Sequence, residues 1–282
     1  MTKNSEINPI EYTCNGKTLT FIKPLVMAIV NITPDSFYDG GKYSNVNDVL
    51  RDMEEKINQG ADIIDLGAAS SRPNAKVISP DEEWQRLEQY LPEIRKKFPD
   101  TFISVDTFRA DIAIKSADNG ADIINDISGG NLDANMFETV AKLNLPYILM
   151  HMQGNPQTMQ ESPNYINVVA EIKEELDTKI EKLKTLNFKK IIVDVGFGFG
   201  KTQEHNYQLL KNLQKFNQFP VLAGFSRKSM INKVIGTNPV TSLNGTTVLN
   251  TIALLNGASI LRVHDVTEAK QSINLVEFYK TV

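Results

Sequence analysis

Eight short, nearly continuous apolar runs recur along the chain, at residues 26–31, 62–67, 102–106, 122–126, 146–151, 190–196, 220–225 and 259–264. Most do not alternate apolar with polar, as a sheet with one wet face would, so they read as parallel strands covered on both sides. Parallel neighbours need long crossover connections, usually helices, and the segments between the runs carry helix signals. Val49, Leu50, Met53 and Ile57 share one face, and Gly60 stands where such a helix should end. Ser79-Pro80-Asp81-Glu82 supplies an N-cap, a first-turn proline and an acid three residues on. The apolar face behind it is Trp84, Leu87, Leu91 and Ile94, which makes Trp84 a core anchor rather than a ligand platform. Further helices are predicted over 133–143, 165–186, 203–216, 241–255 and 267–280.

Three segments echo one another: Gly60-Ala-Asp-Ile-Ile, Gly120-Ala-Asp-Ile-Ile and Gly257-Ala-Ser-Ile-Leu. Each sets a helix-ending glycine before a strand, as repeated helix–loop–strand units do. No charge block, low-complexity tract or Pro/Gly linker divides the 282 residues, a length that one α/β barrel can fill. The expected fold is α/β, a single (β/α)8 TIM barrel over 25–282. Residues 1–24 form an extension in which Asn15-Gly16, between 11–14 and 17–22, marks a β-hairpin turn. A hairpin there would close the N-terminal mouth of the barrel.

Thirty Lys and Arg against 34 Asp and Glu leave a net charge of −4, which argues against gripping nucleic acid through phosphate neutralisation. A local cluster of cations still suffices for a small phosphorylated ligand. Cys14 is the only cysteine, so neither a disulfide framework nor a thiolate metal site is expected. The opening MTKNSEINPIEYT offers no signal-peptide core. Apolar runs such as 25–30 fall far short of the roughly 20 residues of a membrane span. The expectation is a cytoplasmic protein with no membrane partner.

Barrel chemistry sits at the C-terminal ends of the strands. In order, those ends bring Asn31, Gly67 with a loop to Arg72, Asp106, Asn125 with Asp126, His151, Asp194, the Ser226-Arg227-Lys228 loop, and Arg262 with His264. Each alone reads as a capping or hydrogen-bonded residue; around one mouth they read as a site. Arg72, Lys228, Arg262 and His264 suit a phosphate or pyrophosphate. Asp106, Asn125 and Asp194 suit a heterocycle rich in ring NH and amino groups.

Gly196-Phe-Gly-Phe-Gly-Lys-Thr202 imitates a phosphate loop, but Val195 stands where a Walker A requires its first glycine. It reads instead as a turn whose glycines let backbone lie against a flat ligand. His151, His205 and His264 are too scattered for a zinc site, and His205 is expected to face solvent at a helix start.

Several motifs together resemble one family. Asn31-Ile-Thr-Pro-Asp-Ser-Phe37, Ser71-Arg72-Pro73, Ser104-Val-Asp106-Thr, Ile124-Asn125-Asp126, Met150-His-Met-Gln-Gly154, Gly198-Phe-Gly-Lys-Thr202, Ser226-Arg-Lys228 and Arg262-Val-His264 are similar to the motifs of the dihydropteroate synthases, in family order. The resemblance implies a (β/α)8 barrel and a transferase of folate synthesis. Its reaction joins 6-hydroxymethyl-7,8-dihydropterin diphosphate to 4-aminobenzoate, giving 7,8-dihydropteroate and pyrophosphate. Pterin-binding residues implied are Asp106, Asn125, Met150, Asp194, Phe199, Gly224, Lys228 and Arg262. Diphosphate falls to Asn31, Ser71, Arg72, Arg262 and His264, with Asn31 also the Mg²⁺ contact. Phe37, Arg72, Pro73, Phe199, Lys228 and Ser229 would bind aminobenzoate, and Asp35, Ser71, Arg72 and Lys228 would be catalytic. The loops 33–41 and 67–75 resemble the family's two mobile loops, and a homodimer is implied.

The chain departs from the family pattern at Ala69, where an acid is usual, and at Val195, where proline usually follows the aspartate. These departures bear on the aminobenzoate loop and on sulfonamides, which imitate aminobenzoate. They keep one alternative standing, a catalytically silent pterin-binding paralogue; the second alternative is a corrinoid-linked methyltetrahydrofolate methyltransferase, which shares a pterin-binding barrel. The second lacks a use for the diphosphate cluster.

Overall fold

The computed structural model describes residues 9–33, 43, 45–69 and 78–282. Ten strands lie among them. The strands β1 (Glu11–Cys14) and β2 (Lys17–Thr20) form an antiparallel hairpin, and the other eight close a parallel barrel. Those eight are β3 (Leu25–Asn31), β4 (Ile63–Gly67), β5 (Phe102–Asp106), β6 (Ile123–Asp126), β7 (Tyr147–Met150), β8 (Ile191–Asp194), β9 (Val221–Ala223) and β10 (Ile260–Val263). They neighbour one another in sequence order, and β10 pairs with β3 to close the ring. Between and after them run α1 (Val46–Asn58), α2 (Pro80–Glu88), α3 (Leu91–Lys97), α4 (Ala110–Asp118), α5 (Met136–Leu143), α6 (Val168–Thr185), α7 (Gln203–Lys211), α8 (Ser229–Ile235), α9 (Leu243–Leu255) and α10 (Val266–Tyr279). No helix among the described residues is long and apolar enough to cross a membrane.

The barrel strands are largely apolar because each packs two cores. Val26, Ala28 and Val30, Ile64 and Leu66, Ile103 and Val105, and their counterparts face the helices. The intervening residues Leu25, Met27, Ile63, Ile123, Ile148, Ile192, Leu222 and Ile260 fill the barrel interior. Strand periodicity then carries the next inward positions toward the C-terminal mouth, where the polar residues stand. Gly60, Gly120 and Gly257 follow the C-caps of α1, α4 and α9 with φ of 103°, 96° and 92°, so the echo marks one repeated left-handed helix stop.

The predicted helix from Ser79 to Ile94 is two helices. Pro92 has no N–H to give the Glu88 carbonyl, so α2 ends at Glu88 and α3 restarts at Leu91. Trp84 does pack against the core, half-buried, with Lys115 Nζ 5.7 Å from its ring centre. The end of the predicted 203–216 helix tightens into a 3₁₀ turn over Leu213–Phe216. Helix α4, marked beforehand only by Gly120, and the short α8 complete the set. His205 is not solvent-facing but half-buried: its ring accepts the Thr202 N–H at 3.3 Å while Thr202 Oγ1 accepts the His205 N–H at 3.2 Å, a reciprocal cap on α7.

The hairpin turns through Asn15 and Gly16, both at positive φ, and plugs the N-terminal mouth. Tyr12 and Leu19 join the interior cluster, and the Tyr12 hydroxyl donates to the Ile191 carbonyl at 2.7 Å. Lys17 Nζ and Arg95 Nη2 each lie 2.6 Å from Asp122 Oδ2, which also accepts the Ile103 N–H, and Asn15 bonds Asp122 Oδ1. Asp122 is fully buried, so its charge is supported only by this ring of donors. Asp122→Ala strands two cations against the barrel floor, and we expect it to lower unfolding free energy by ~3–5 kcal/mol in urea titration. An unchanged midpoint would show that the plug is not held this way.

Candidate active site

Inward parity at the strand ends gathers most of the expected residues at one mouth. Asn31, Gly67, Asp106 and Asn125 are level across β3, β4, β5 and β6, and Met150 is level with Asp194 across β7 and β8. Gly224 follows β9, and Arg262 is inward on β10, packed 3.6 Å from where a side chain on Gly224 would begin. Asn31 Oδ1 likewise lies 3.0 Å from the position of a Gly67 side chain. Both glycines therefore make room for a polar neighbour.

The centre of the mouth is a buried ionic network. Asp65, on β4 and fully buried, takes Arg262 Nε and Nη2 at 2.7 Å each and Asn125 Nδ2 at 3.2 Å. Arg262 Nη2 also reaches Asp106 Oδ2 at 3.4 Å. Burial and the neighbouring Asp65 raise the Asp106 carboxyl to about 7, against the pull of Arg262. Because a carboxylate only accepts, the Asn125 amide nitrogen must face Asp65, which turns its oxygen elsewhere.

Opposite this network stands Asp194, buried, with Oδ1 accepting the Gly196 N–H at 2.7 Å. Burial raises its carboxyl, while that backbone bond and the charges of Lys228, Arg262 and Lys201 pull the other way. Lys228 caps α8, with Nζ 2.7 Å from the Phe197 carbonyl and 4.7 Å from the Phe199 ring centre. Burial lowers its ammonium to about 8. Lys228 is aimed by Arg227, whose φ of +60° turns the loop and whose guanidinium grips Asp265 at 2.7 and 2.8 Å. Arg227 is thus a structural member of the Ser-Arg-Lys motif. Phe199 and Met150 share an apolar cluster with Phe108, Ile127, Met152 and Met159, forming a wall beside the charged groups.

His264 Nδ1 lies 3.1 Å from Ser226 Oγ. Ser229 opens α8 and is exposed. Asp35, Phe37, Ser71, Arg72 and Pro73 lie outside the described residues. Asp126, although at a strand end, belongs to the shell: it accepts from Ser128, Gly130 and the Tyr147 hydroxyl at 2.7–2.8 Å and closes the turn after β6.

The glycine run 196–200 has a structural reason beyond a ligand. Gly196, Gly198 and Gly200 all have positive φ, and a side chain on Gly196 would begin 1.9 Å from the His151 carbonyl oxygen. Its close partner is the loop after β7.

Two residues escaped the strand-end reading. Asp65 sits mid-strand, and its signal was a lone charge inside the run Ile63-Ile64-Asp65-Leu66, which no strand buried on both faces tolerates without a partner. Lys201 belonged to the discounted phosphate-loop look-alike; it is 3% exposed beneath the glycine turn.

Comparison with known proteins agrees with this geometry. The family model described as "Pterin binding enzyme" matches residues 27–264. A dihydropteroate synthase of Escherichia coli strain K12 is 42% identical over 266 residues, covering 93% of this chain and 94% of its own. A Yersinia pestis dihydropteroate synthase solved with a sulfonamide drug complex superposes with TM-score 0.92 at 38% identity, over 97% of this chain and 100% of that one. A Xanthomonas albilineans dihydropteroate synthase solved with 4-aminobenzoic acid gives TM-score 0.88 at 34% identity, over 96% and 98%. With its barrel, its mouth and its relatives in agreement, the chain belongs to the dihydropteroate synthase family of pterin-binding transferases.

Proposed function

We propose that this chain condenses 6-hydroxymethyl-7,8-dihydropterin diphosphate with 4-aminobenzoate, releasing pyrophosphate and 7,8-dihydropteroate, and that residues 25–282 form the pterin-binding barrel behind the extension 1–24. The observation that carries the reading is the pairing, in one mouth, of buried Asp194 with the Asp65–Arg262–Asp106 network. Acceptors there match the NH and amino edges of a pterin, and cations match its diphosphate.

In this reading Asp194 accepts the ring NH and amino group, while Asp106 and Asn125 meet the remaining edge. Met150 and Gly224 line the pterin, Lys228 donates to its oxygen and ring nitrogen, and Arg262 lies over its face. Asn31, Ser71, Arg72, Arg262 and His264 receive the diphosphate. Phe37, Arg72, Pro73, Phe199, Lys228 and Ser229 form the aminobenzoate site.

The C–O bond to diphosphate breaks first, and its electron pair leaves with pyrophosphate. Arg72, Arg262 and His264 steady the departing charge, Ser71 adds a hydroxyl donor, and Asp35 completes the site around the leaving group. The pterin-methylene cation is held by the electron-rich ring and the carboxylates near it. The arylamine lone pair then forms the C–N bond, and the resulting anilinium gives its proton to pyrophosphate or water. No covalent enzyme intermediate is involved.

Mg²⁺ fits this site. Asn31 presents a neutral carboxamide oxygen at the mouth, and no group of three or more His, Cys, Asp or Glu able to cage a metal occurs among the described residues. Such a donor set suits a hard cation held mostly by substrate phosphates and water, with Asn31 as the protein contact. When bound it would supply charge neutralisation of the diphosphate.

The homodimer is supported by an apolar face shared by two packed helices. Val248, Ile252 and Leu255 on α9 and Leu275, Phe278 and Tyr279 on α10 are exposed at helical spacing. Sedimentation of the free chain as a monomer would contradict that assembly. Small-molecule substrates, the absence of any nucleic-acid partner and a cytoplasmic location complete the proposal.

Asp194→Ala should weaken pterin diphosphate binding by ~100-fold or more in calorimetry, since it removes two charge-assisted bonds of roughly 1.5–3 kcal/mol each. Arg72→Ala should leave that affinity nearly unchanged and lower kcat instead; equal loss of affinity in both variants would show that the pocket is divided wrongly. The pH profile follows from the two shifted groups. Below about 7 the Asp106 carboxyl takes a proton and stops supporting the cation, and above about 8 the Lys228 ammonium loses one and its charge. We therefore expect kcat/KM to rise through about 7 and fall beyond about 8. Lys228→Arg should remove the alkaline limb, and a flat profile in the wild type would exclude both roles.

A further inference from the structure

Behind the site lies a buried titratable chain that the steps above do not use. Lys201 Nζ donates to His151 Nδ1 at 3.0 Å, the His151 carbonyl at 3.3 Å and the Phe199 carbonyl at 2.9 Å. His151 Nε2 lies 3.2 Å from Glu175 Oε2 on α6, and Glu175 Oε1 lies 2.7 Å from Lys179. This arrangement fixes the imidazole tautomer, with Nδ1 accepting from lysine and Nε2–H donating to glutamate. Glu175 is 38% exposed and forms the solvent end.

Three acceptors for Nζ match the three N–H donors of an ammonium. All three are neutral, so no contacting carboxylate balances the buried charge. The carboxylate that most favours that charge is Asp194, across the Gly196 turn. Nζ lies 3.3 Å from where a Gly196 side chain would begin, and the Gly196 N–H is the one that binds Asp194. A buried ammonium costs several kcal/mol of desolvation, whereas an amide or hydroxyl would suffice merely to hold two carbonyls.

We infer that Lys201 is a positioning residue for both substrates: it fixes the Gly196–Phe199 turn through the Phe199 carbonyl, and its charge keeps Asp194 an anionic acceptor. The inference rests on the assignment of Asp194 to the pterin. The groups facing Asp194 are Lys228 at the start of α8, Arg262 on β10 and Lys201; those facing Lys201 are Asp194, Lys228, His151 and Glu175. Burial lowers the Lys201 ammonium to about 7, with Asp194 and Glu175 opposing that and Lys228 adding to it. Burial raises the Asp194 carboxyl, and Lys201 is among the charges that resist it. Removing the Lys201 charge lets Asp194 hold its proton to higher pH, so pterin affinity is lost earlier on acidification.

The test is calorimetric binding of the pterin diphosphate, without aminobenzoate, to the full chain across pH. Asp194→Asn identifies the part of the acid limb that belongs to Asp194. In Lys201→Gln, which keeps a donor but no charge, we expect that part to move up by about 1 pH unit, with a raised aminobenzoate KM in turnover. Lys201→Met, which keeps the length of the stem without charge or donor, should move it the same way and decides the matter if Lys201→Gln does not fold. An unmoved limb in the folded Lys201→Gln, or in Lys201→Met where the former fails, overturns the inference alone. Wild-type binding indifferent to Asp194→Asn would instead overturn the pterin assignment beneath it.

Discussion

The mouth of this barrel depends on one buried ion pair. Asp65 has no access to solvent, so its charge is tolerable only because Arg262 meets it twice at 2.7 Å and Asn125 adds a third donor. Burying both ions costs several kcal/mol apiece, and loss of either partner would leave the other uncompensated. As stabilisation the pair is a poor investment compared with two packed apolar side chains. Its consequence is orientation. It holds the Arg262 guanidinium in one plane over the mouth and sets the Asn125 amide with its nitrogen inward. It also puts a second negative charge beside Asp106, adding to the burial that pushes that carboxyl up to about 7.

The two ends of the barrel use the same chemistry for different purposes. At the N-terminal end Asp122 gathers Lys17, Arg95 and a backbone N–H, and every one of those donors holds the hairpin or the strand start in place. That network is complete within the protein. At the C-terminal end the donors and acceptors converge instead on a mouth lined partly by the Phe199 and Met150 wall. Charge arranged around a space, rather than around itself, is what separates a site from a clamp. Asp126 makes the contrast at one position: adjacent to Asn125, but facing away from the interior, it is wholly engaged by Ser128, Gly130 and Tyr147.

Most of the barrel was legible in the sequence because burial on both faces leaves nearly unbroken apolar runs, and because Gly60, Gly120 and Gly257 announce three of the returns to the sheet. Helix α8 was not, since seven residues between the Ser226-Arg227-Lys228 loop and Gly236 give too few turns for a periodic signal. The break at Leu91 was readable from Pro92 but masked by a continuous apolar face on either side. At the mouth, residues at strand ends were found by position, and Asp194, Asp106, Asn125, Lys228 and Arg262 indeed converge. Asp65 lay one inward step deeper, where position alone says core, and only its charge betrayed it. Lys201 was hidden because its motif suggested phosphate binding, while its role depends on a histidine fifty residues away that folding brings to 3.0 Å.

The central claim is that this mouth performs condensation and not merely pterin binding, despite Ala69 in place of an acid. It is tested most directly by following pyrophosphate release from the pterin diphosphate with Mg²⁺, in the presence and absence of 4-aminobenzoate. We predict release that depends on aminobenzoate and yields dihydropteroate. Tight binding of the pterin diphosphate with no release under either condition would contradict it and leave a pterin-binding protein without the transferase step.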